Sequence, residues 1–486
     1  MGRSCEAFSG EDRTHGSRIV NVVLLLLIAV PFIGGLLVLF PGRFLRVLRW
    51  IFSLLTVLAT GLLLALNFTS ASNKGFRLWH ILGSAESPQF FTSPITLVIA
   101  AAFVFLCLII MLFSFGFFRK SEEADTEYYS LMLFMLGSAM GLLFTNDLVF
   151  IYIFWEIAAV AAWRLIGFGR TQEKISIAAR TLLINFFGSA FMLVGFLLLA
   201  SEFGSLNLSD MVGKPMPVLA GIFILCGVFA KSAVIPLYIW VPSAYAVSPT
   251  PVVALLAGML ENFGLIAFMK IFVETFALSG AWQLSILWIA LASSIVTGGV
   301  ALVVNDYRRI LGYSTVSQLA FVLAGFAISP QLGMIGAILF IIAHGLGKAT
   351  LLMGYGIVER EMGGRGIRHK GRLVANFPIL FVGVIIATLS VIGLPPLLGF
   401  FAKLDVIFGI LSSGRILIGA GFILASILTL LYMLRLFSSV FLIGKKPEPQ
   451  RSQSVFLSIL VLVISLSLFG ASFAIKPLLA YIGAGG

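Results

Sequence analysis

Apolar residues form long runs that repeat along the whole chain, separated by short polar stretches. Each run is close to the roughly 20 residues that an α-helix needs to cross about 30 Å of bilayer hydrocarbon. Soluble cores do not repeat such runs from end to end, so the pattern predicts an all-α polytopic membrane protein with about 14 transmembrane helices. The runs cover residues 19–40, 44–68, 93–118, 128–146, 147–168, 175–201, 216–241, 249–275, 281–304, 309–328, 331–358, 374–412, 416–443 and 454–482.

The overall composition agrees with this pattern. Hydrophobic residues make up 60% of the 486 residues, charged residues only 11%, and the mean hydropathy is +1.10. A soluble domain of this size carries about 25% charged residues. No polar stretch of the sequence is long enough for an extramembrane domain, so we expect the protein to act within the bilayer or at its surface. The run at 19–40 is long for a signal peptide, and we expect it to be the first spanning helix.

Positive charge is concentrated in one set of the short loops. The formal net charge of +12 is spread between apolar runs and not along one face of a soluble domain, which argues against nucleic-acid binding. Cytoplasmic loops carry an excess of lysine and arginine. We therefore expect a multi-pass protein of the inner (cytoplasmic) membrane, or an equivalent energy-coupling membrane, with both termini on the outer or periplasmic side. The basic set consists of Arg43, Arg46, Arg49, Arg119, Lys120, Arg170, Lys174, Arg308, Arg309, Arg360, Arg365, Arg368, Lys370, Arg372, Lys445, Lys446 and Arg451.

Two of the apolar runs contain proline at membrane depth. The run at 216–241 contains Pro236, and the run at 374–412 contains Pro395 and Pro396. Proline removes a backbone donor and clashes with the preceding turn, so we expect both helices to break. One such break could be a packing kink, since proline is common in membrane helices. Two broken helices, one in each half and each with a lysine nearby, are instead typical of a transport site.

Ionisable residues lie inside several apolar runs, where each is costly unless it is paired or hydrated. The deep charges are Glu156, Lys231, Lys348 and Lys403, and the eighth run adds Glu261 and Lys270. One interpretation is that they form salt bridges between helices. Three buried lysines with one clear carboxylate would leave lysines unpaired, however, so the pattern favours ion movement.

A buried lysine beside a carboxylate can act as a proton switch. An apolar environment makes it easier for a lysine to lose its proton, and a nearby carboxylate opposes that loss. A pair whose distance changes would therefore hold and release a proton in turn, and hydrated lysines in series would carry it further. His344 lies four residues before Lys348 on the same helical face, so we expect it to join this relay.

The sequence does not indicate a metal or cofactor site. Cys5, Cys107 and Cys226 are far apart, and we expect free thiols instead of an iron–sulfur or zinc site. We expect Arg164 to extend toward the cytoplasmic interface. An acidic segment is predicted to be a solvated loop and not a metal site, and it comprises Glu122, Glu123, Asp125 and Glu127.

Taken together, the charged and broken segments closely resemble the antiporter-like subunit family shared by respiratory complex I (NADH:quinone oxidoreductase), energy-converting membrane-bound hydrogenases and Mrp-type cation/proton antiporters. The resemblance covers residues 128–443. Each motif is weak alone, whereas all of them in this order are specific. The motifs are Asn146-Asp-Leu with Phe154-Trp-Glu156, Ala230-Lys-Ser with Pro236 and Trp240-Val-Pro, Ser248-Pro-Thr-Pro251, the segment from Asp306 to Gln318, His344-Gly-Leu-Gly-Lys348, and Gly393-Leu-Pro-Pro with Gly399-Phe-Phe-Ala-Lys403.

The resemblance implies roles for several of these residues. Glu156 and Lys231 would be the switch pair of helices 5 and 7. Lys348 would be the central basic residue of the second half, and Lys403 the residue of broken helix 12 near the exit path. The resemblance also implies two inverted five-helix repeats. We therefore expect helices 1–3 in residues 1–127, a first repeat of helices 4–8 in 128–275, a second of helices 9–13 in 276–443, and helix 14 in 444–486.

The eighth helix departs from the family pattern. Many relatives carry a lysine or histidine there that links two half-channels. The best alignment of this chain places Asn262 or Gly258 at that position, with Glu261 adjacent. Either Glu261, Asn262, Lys270 or water takes over the linking role, or the relay of this copy is altered. The departure concerns the ion carried and the pumping stoichiometry, and it leaves the predicted fold unchanged.

We expect a subunit that translocates protons, or sodium ions in their place, inside a larger complex of the complex I or hydrogenase type. None of the motifs binds a redox cofactor, so iron–sulfur, flavin, nickel–iron or quinone chemistry would belong to partner subunits, which would include related antiporter-like subunits. The alternative is a subunit of a multi-subunit Mrp-type Na+/H+ antiporter without a redox partner. A third interpretation, a scaffold that has lost transport, conflicts with the retention of the four deep charges.

Overall fold

A computed structural model gives the fold of residues 8–39, 46–69, 75–77, 89–118, 126–276, 278, 280–328, 332–367, 372–444 and 455–483. Several residues considered above lie outside these ranges, namely Cys5, Arg43, Arg119, Lys120, Glu122, Glu123, Asp125, Arg368, Lys370, Lys445, Lys446 and Arg451. Helices account for nearly all of the described chain. A short antiparallel hairpin of β1 (Gly75–Arg77) and β2 (Gln89–Phe91) lies between the second and third helices.

The α-helices follow one another with short connections. They are α1 (Phe8–Leu39), α2 (Arg46–Thr69), α3 (Pro94–Phe117), α4 (Thr126–Phe144), α5 (Leu148–Ile166), α6 (Gln172–Phe203), α7 (Val218–Lys231), α8 (Trp240–Val247), α9 (Thr250–Leu255), α10 (Asn262–Phe268), α11 (Gly280–Val303), α12 (Tyr307–Ile328), α13 (Leu332–Met362), α14 (Pro378–Ile392), α15 (Leu398–Ser412), α16 (Ile416–Phe441), α17 (Val455–Phe473) and α18 (Ile475–Gly483). The π-helical segment Leu256–Leu260 joins α9 to α10, and a second one, Met269–Thr275, extends α10, so that Thr250–Thr275 forms one continuous span.

Twelve helical spans in the described part of the chain are long and apolar enough to cross a membrane. Two further apolar helices, α7 and α14, are shorter than a full crossing. They are the first halves of the two runs that were predicted to break. The prediction of an all-α polytopic membrane protein is therefore confirmed.

Helices from the middle of the chain form the interior. In the most apolar 18-residue stretch of the span Thr250–Thr275, 100% is buried inside the protein. In the corresponding stretches of α12 and α13 the buried share is 94%. In the corresponding stretch of α2 the buried share is only 28%, and the outer surface of this helix carries a series of exposed leucines. Large exposed apolar surfaces of this kind mark contact with lipid or with partner subunits. The buried central helices are also the ones that carry most of the predicted site residues.

Both predicted helix breaks are present. The turns around Pro236 separate α7 from α8, and those around Pro395 and Pro396 separate α14 from α15. A break leaves backbone carbonyls without their helical partners. At the first break a side chain takes over this role, because the Trp240 indole donates to the Ala230 carbonyl at 2.8 Å.

Some charged residues that were expected in loops belong to helix ends. Glu127 lies in the first turn of α4 and forms an ion pair of 2.5 Å with Arg164 of α5, so the prediction of a solvated loop is wrong for Glu127. Arg308 is buried in the first turn of α12 and pairs with Glu359 at 2.8 Å. In both pairs the partner is distant in sequence, which is why a local reading of charge could not find it.

Candidate functional site

Lys231 lies at the end of α7, next to the first helix break. Its side chain is fully buried. The ammonium nitrogen is 3.4 Å from the Trp155 carbonyl oxygen and 4.8 Å from the centre of the Trp155 ring. A lysine in the last turn of a helix also interacts favourably with the helix dipole. The amine is therefore held by a carbonyl, a ring and a helix end.

Glu156 is the residue after Trp155, so α5 brings it to the same place as Lys231. The glutamate is half-buried and close enough to Lys231 for electrostatic interaction. None of the ion pairs within 4.0 Å among the described residues joins these two side chains, and Glu156 Oε1 has no hydrogen-bond partner there. The structure thus places the predicted switch pair in one site with its charges apart.

A small cavity lies beside Lys231. Its walls come from α5, α6 and the central span, and they include Thr181, Asn185 and Leu260. Asn185 Oδ1 is buried and has no hydrogen-bond partner in the described part of the chain. The cavity thus extends polar surface from Lys231 toward α6, where sequence reasoning had placed no site residue.

Glu261 lies at the centre of the molecule, between the first π-helical segment and α10. It is fully buried, and its two carboxyl oxygens share one bifurcated hydrogen bond from the Tyr245 hydroxyl, at 2.9 and 3.2 Å. The same hydroxyl is 3.4 Å from Thr315 Oγ1 of α12. Tyr245 was missed by the sequence analysis. Its one local signal is its place in α8, just after the first helix break.

Lys348 of α13 lies on the other side of this centre. Its amine donates to Ser314 Oγ at 2.5 Å and to the Leu311 carbonyl at 3.3 Å, and it is close enough to Glu261 for electrostatic interaction. Helix α13 and the central span Thr250–Thr275 approach closely at Gly345 and Gly258, since a Cβ built at Gly345 would lie 2.9 Å from the Gly258 carbonyl oxygen. Small residues allow such close packing of membrane helices. Glu261 and Lys348 each lie three residues beyond this crossing, which brings them together.

The other two linking candidates are placed differently. Asn262 is buried beside Glu261 and donates to the Gly258 carbonyl of its own helix at 3.2 Å. Lys270 donates to the Thr145 carbonyl at 2.6 Å, beyond the end of α4. It lies nine residues after Glu261, about 13 Å along a helix axis. Of the candidates, Glu261 and Asn262 are central and Lys270 is not.

Lys403 of α15 is bound to the second helix break. Its amine donates to the carbonyls of Val391 and Ile392, at 2.9 and 3.1 Å, which are the last residues of α14. His344 lies between Lys348 and Lys403 and interacts electrostatically with both. Both nitrogens of its buried ring lack a hydrogen-bond partner among the described residues.

Hydroxyl and amide groups extend the site between α12 and α16. Ser314, which binds Lys348, donates to the Tyr432 hydroxyl at 2.9 Å. The Gln318 amide donates to the same hydroxyl at 3.3 Å and to Thr429 Oγ1 at 2.9 Å. Such residues are ordinary in sequence, and only the packing of α12 against α16 shows that they belong to the site.

The assembled site is a series of buried basic groups with two carboxylates. It runs from Glu156 and Lys231 through Glu261 to Lys348, His344 and Lys403. Acids, amines and hydroxyls in this arrangement can accept and pass on protons. Groups of three or more histidine, cysteine or acidic residues that could hold a metal ion are absent from the described part.

Comparisons with known proteins point in the same direction. The family model described as NADH:quinone oxidoreductase/Mrp antiporter, TM, matches residues 145–431. NADH-quinone oxidoreductase subunit N of Desulforudis audaxviator is 32% identical over 340 residues, which is 68% of each chain. Na+/H+ antiporter subunit A1 of Staphylococcus epidermidis is 31% identical over 388 residues, 73% of this chain and 48% of that protein, so the chain spans about half of its length.

A solved structure shares the whole fold. The Mrp complex from Dietzia sp. DQ12-45-1b contains a chain that matches with a TM-score of 0.86 at 22% sequence identity, covering 95% of this chain and 96% of that one. At this level of identity the likeness shows the fold alone. The family match covers more than half of the sequence and includes Glu156, Lys231, Glu261, His344, Lys348 and Lys403. The chain therefore belongs to the antiporter-like membrane family shared by NADH:quinone oxidoreductases and Mrp antiporters.

Proposed function

We propose that this chain translocates protons as a subunit of a multi-subunit membrane complex, with Glu156 and Lys231 as a switch and Lys348, His344 and Lys403 as a relay. The observation that carries the proposal is the nature of the lysine partners. Lys231, Lys348 and Lys403 are all buried, and each donates to a backbone carbonyl at 2.9–3.4 Å and not to a carboxylate within 4.0 Å. A carbonyl accepts a hydrogen bond from a charged or a neutral amine, so these lysines can change charge in place.

A purely structural role fits these contacts less well. The ion pairs of the described residues join other side chains, such as Arg164 with Glu127 and Arg308 with Glu359, near the ends of helices. Those pairs hold neighbouring helices together. The deep lysines lack such partners, which supports a role in ion movement instead of interhelical pairing.

An internal repeat supports the proposal of two five-helix units, the predicted transmembrane helices 4–8 (residues 128–275) and 9–13 (residues 276–443). An Asn-Asp pair precedes both α5 and α12, and at each place two backbone hydrogen bonds join this segment to a later loop. Every residue in the second set of bonds lies 159 positions after its counterpart in the first (147 to 306, 207 to 366). Asp147 and Asp306 also cap their helices in the same way. The backbone hydrogen bonds run from Leu148 N to Leu206 O and from Leu208 N to Asn146 O in the first half, and from Tyr307 N to Arg365 O and from Ile367 N to Asn305 O in the second.

The helix breaks follow the same spacing, since Pro395 lies 159 positions after Pro236. If each broken segment crosses the membrane once, the twelve longer spans and these two make 14 crossings. An even number places both termini on one side. The basic loops then put both termini on the outer side of an energy-coupling membrane.

Two kinds of membrane complex could contain this subunit. The likeness to a quinone oxidoreductase subunit supports a redox-driven pump, in which partners hold the iron–sulfur, flavin, nickel–iron or quinone chemistry. The likeness to an Na+/H+ antiporter subunit supports an exchanger without a redox partner. Mass spectrometry of a complex purified gently through a tag on this chain separates them. Quinone-reductase or hydrogenase-type partners favour the first, and small hydrophobic antiporter subunits alone favour the second.

Translocation itself is tested with Lys231→Ala in the intact complex, reconstituted into proteoliposomes with a pH-sensitive dye inside. We expect proton movement to fall to the level of empty liposomes while the complex assembles normally. Lys214→Ala is the matched control, because Lys214 is exposed and lies over the Phe203 ring. Proton movement at the wild-type rate in Lys231→Ala would contradict the proposal.

A further inference from the structure

The short helix α8, which carries Tyr245, ends where the chain cannot supply the usual hydrogen bonds. The last four carbonyls of a helix have no helical partners of their own. In a continuing helix the N–H of residue 249 would bind the Tyr245 carbonyl, but Pro249 has no N–H. Helix α8 has only eight residues, and helices this short depend on packing against other elements. The position of its carboxyl end is therefore set by groups from elsewhere in the chain.

Two arginines from the second half of the chain bind this end of α8. The guanidinium of Arg308, in the first turn of α12, donates to the Tyr245 carbonyl at 3.3 Å and also to the Ser248 carbonyl. Arg365, in the loop after α13, donates to the Ala246 carbonyl. Positive charge at the C-terminus of a helix is favourable because it faces the negative end of the helix dipole. The two arginines thus replace the backbone donors that the chain lacks at this point.

The other nitrogen atoms of Arg308 fix the orientation of its side chain. Nε donates to Glu359 of α13 at 2.8 Å, and Nη2 donates to Thr250 Oγ1 at 3.2 Å. The residue is only 7% exposed. A guanidinium is planar and presents its donors in a rigid fork, whereas a lysine offers a single flexible point charge. The ion pair with Glu359 therefore directs the opposite edge of the Arg308 fork at the end of α8.

We propose that Arg308 is a positioning residue for the centre of the path, because by holding the end of α8 it keeps the Tyr245 hydroxyl against Glu261. The inference rests on the proposed function and adds a residue to it. The carbonyl that Arg308 binds and the hydroxyl that donates to Glu261 belong to the same tyrosine, so a shift of one moves the other. Helix α12 also places Thr315 Oγ1 3.4 Å from this hydroxyl. The helix that carries Arg308 thus contacts Tyr245 at both its backbone and its side chain.

The repeated architecture of the fold does not require this arrangement. The three charged residues that build it have apolar counterparts 159 positions earlier. The pairs are Arg308 with Val149, Glu359 with Ala200, and Arg365 with Leu206. The contacts join α8, which belongs to residues 128–275, to α12 and α13 in residues 276–443. The second half of the protein therefore determines where the first half places its central tyrosine.

Hydrogen exchange of the intact complex, read by mass spectrometry, tests whether Arg308 holds α8 without relying on transport. Arg308→Lys keeps the positive charge but removes the fork that binds α8 and Glu359 at once. We expect the peptide that covers α8 to exchange about tenfold faster than in the wild type, the effect of about one lost hydrogen bond. Arg309→Lys is the matched control, because Arg309 is the neighbouring arginine and is exposed.

A cycle of single and double substitutions tests whether Arg308 acts through Tyr245. In proteoliposomes with the internal pH dye, we expect Arg308→Lys and Tyr245→Phe each to slow proton flux about tenfold, and Arg309→Lys to leave it unchanged. If Arg308 acts by placing the Tyr245 hydroxyl, the double variant should be no slower than either single variant. Two independent effects would instead multiply to a loss of about a hundredfold.

Glu359→Gln is a second variant, and it decides the question if Arg308→Lys does not assemble. It leaves the arginine in place and removes only the charge that orients it, so we expect changes in the same direction by a smaller factor. Wild-type exchange of α8 in both variants, wild-type flux in both, or a hundredfold loss in the double variant would each overturn the inference. If the wild-type complex moved no protons at all, the proposed function would fail, while exchange would still decide whether Arg308 holds α8.

Discussion

The buried lysines share one kind of contact. Lys231, Lys270, Lys348 and Lys403 all donate to a backbone carbonyl. A carboxylate partner would strongly favour the charged amine, whereas a carbonyl accepts a hydrogen bond from either form. The contact thus keeps the side chain in position through a change of charge. This is the property that a relay residue needs and a structural ion pair lacks.

Substitution by arginine separates charge from proton release. An arginine at position 231 stays protonated under all physiological conditions. We expect Lys231→Arg to stop proton movement as completely as Lys231→Ala, measured with the internal pH dye, while Lys214→Arg has no effect. Transport by Lys231→Arg at more than a small fraction of the wild-type rate would mean that position 231 needs only a fixed positive charge.

The Tyr245 hydroxyl is predicted to be needed at the centre of the path. Tyr245→Phe removes the bifurcated hydrogen bond to Glu261 and leaves this buried carboxyl group without it. Because leaving a buried polar group without its hydrogen-bond partner costs about 1–3 kcal/mol, we expect about a tenfold slower proton flux. Tyr355→Phe is a suitable control, since Tyr355 is equally buried and its hydroxyl has no partner among the described residues. Equal effects of the two substitutions would argue against a special role for Tyr245.

Among the helices, the crossing of α13 and the central span determines how Glu261 and Lys348 face each other. The helices touch through glycine backbones, and a methyl group at position 345 would lie 2.9 Å from the Gly258 carbonyl. This contact is closer than real Cβ atoms tolerate, so one helix must move. Helix packing is thus coupled to the geometry of the site.

Gly345→Ala tests that coupling. Overpacking of a buried contact costs about 1–3 kcal/mol, so we expect a lower thermal unfolding temperature of the purified complex together with slower proton flux. Gly299→Ala on α11 provides the comparison, because a Cβ there meets no atom within 4 Å. If Gly345→Ala unfolds and transports like the wild type, the crossing does not control the site.

The helix breaks could be predicted from sequence because their cause is local: proline removes a donor wherever it stands. Placing Glu127 or Lys270 correctly required tertiary contacts. Glu127 lies in the first turn of α4 and pairs with Arg164 of α5, and the Lys270 amine is bound just beyond the end of α4, away from Glu261. Likewise, the roles of Tyr245 and Gln318 depend on which helices pack together, and neither residue type is unusual in sequence.

For the molecule as a whole, the proposed topology can be tested by labelling. Cys5, Cys107 and Cys226 are first replaced by serine. One exposed cysteine is then introduced at a time, either Gln172→Cys at the start of α6 or Ser413→Cys between α15 and α16. With 14 crossings and outer termini, a membrane-impermeant maleimide should label Ser413→Cys in intact cells and Gln172→Cys only after the membrane is opened. The reverse pattern would mean that the protein has the opposite orientation.

The two helix breaks are anchored by different kinds of donor. The first is tied by the Trp240 indole, which keeps its proton at every physiological pH, whereas the second is tied by the Lys403 amine. When Lys403 is protonated, its charge is attracted to the carbonyl end of α14, and when it is neutral this attraction disappears. The indole hydrogen bond at the first break is therefore the same at every physiological pH. Release of the proton that the proposed relay assigns to Lys403 would therefore weaken the contact between α14 and α15 at the second break.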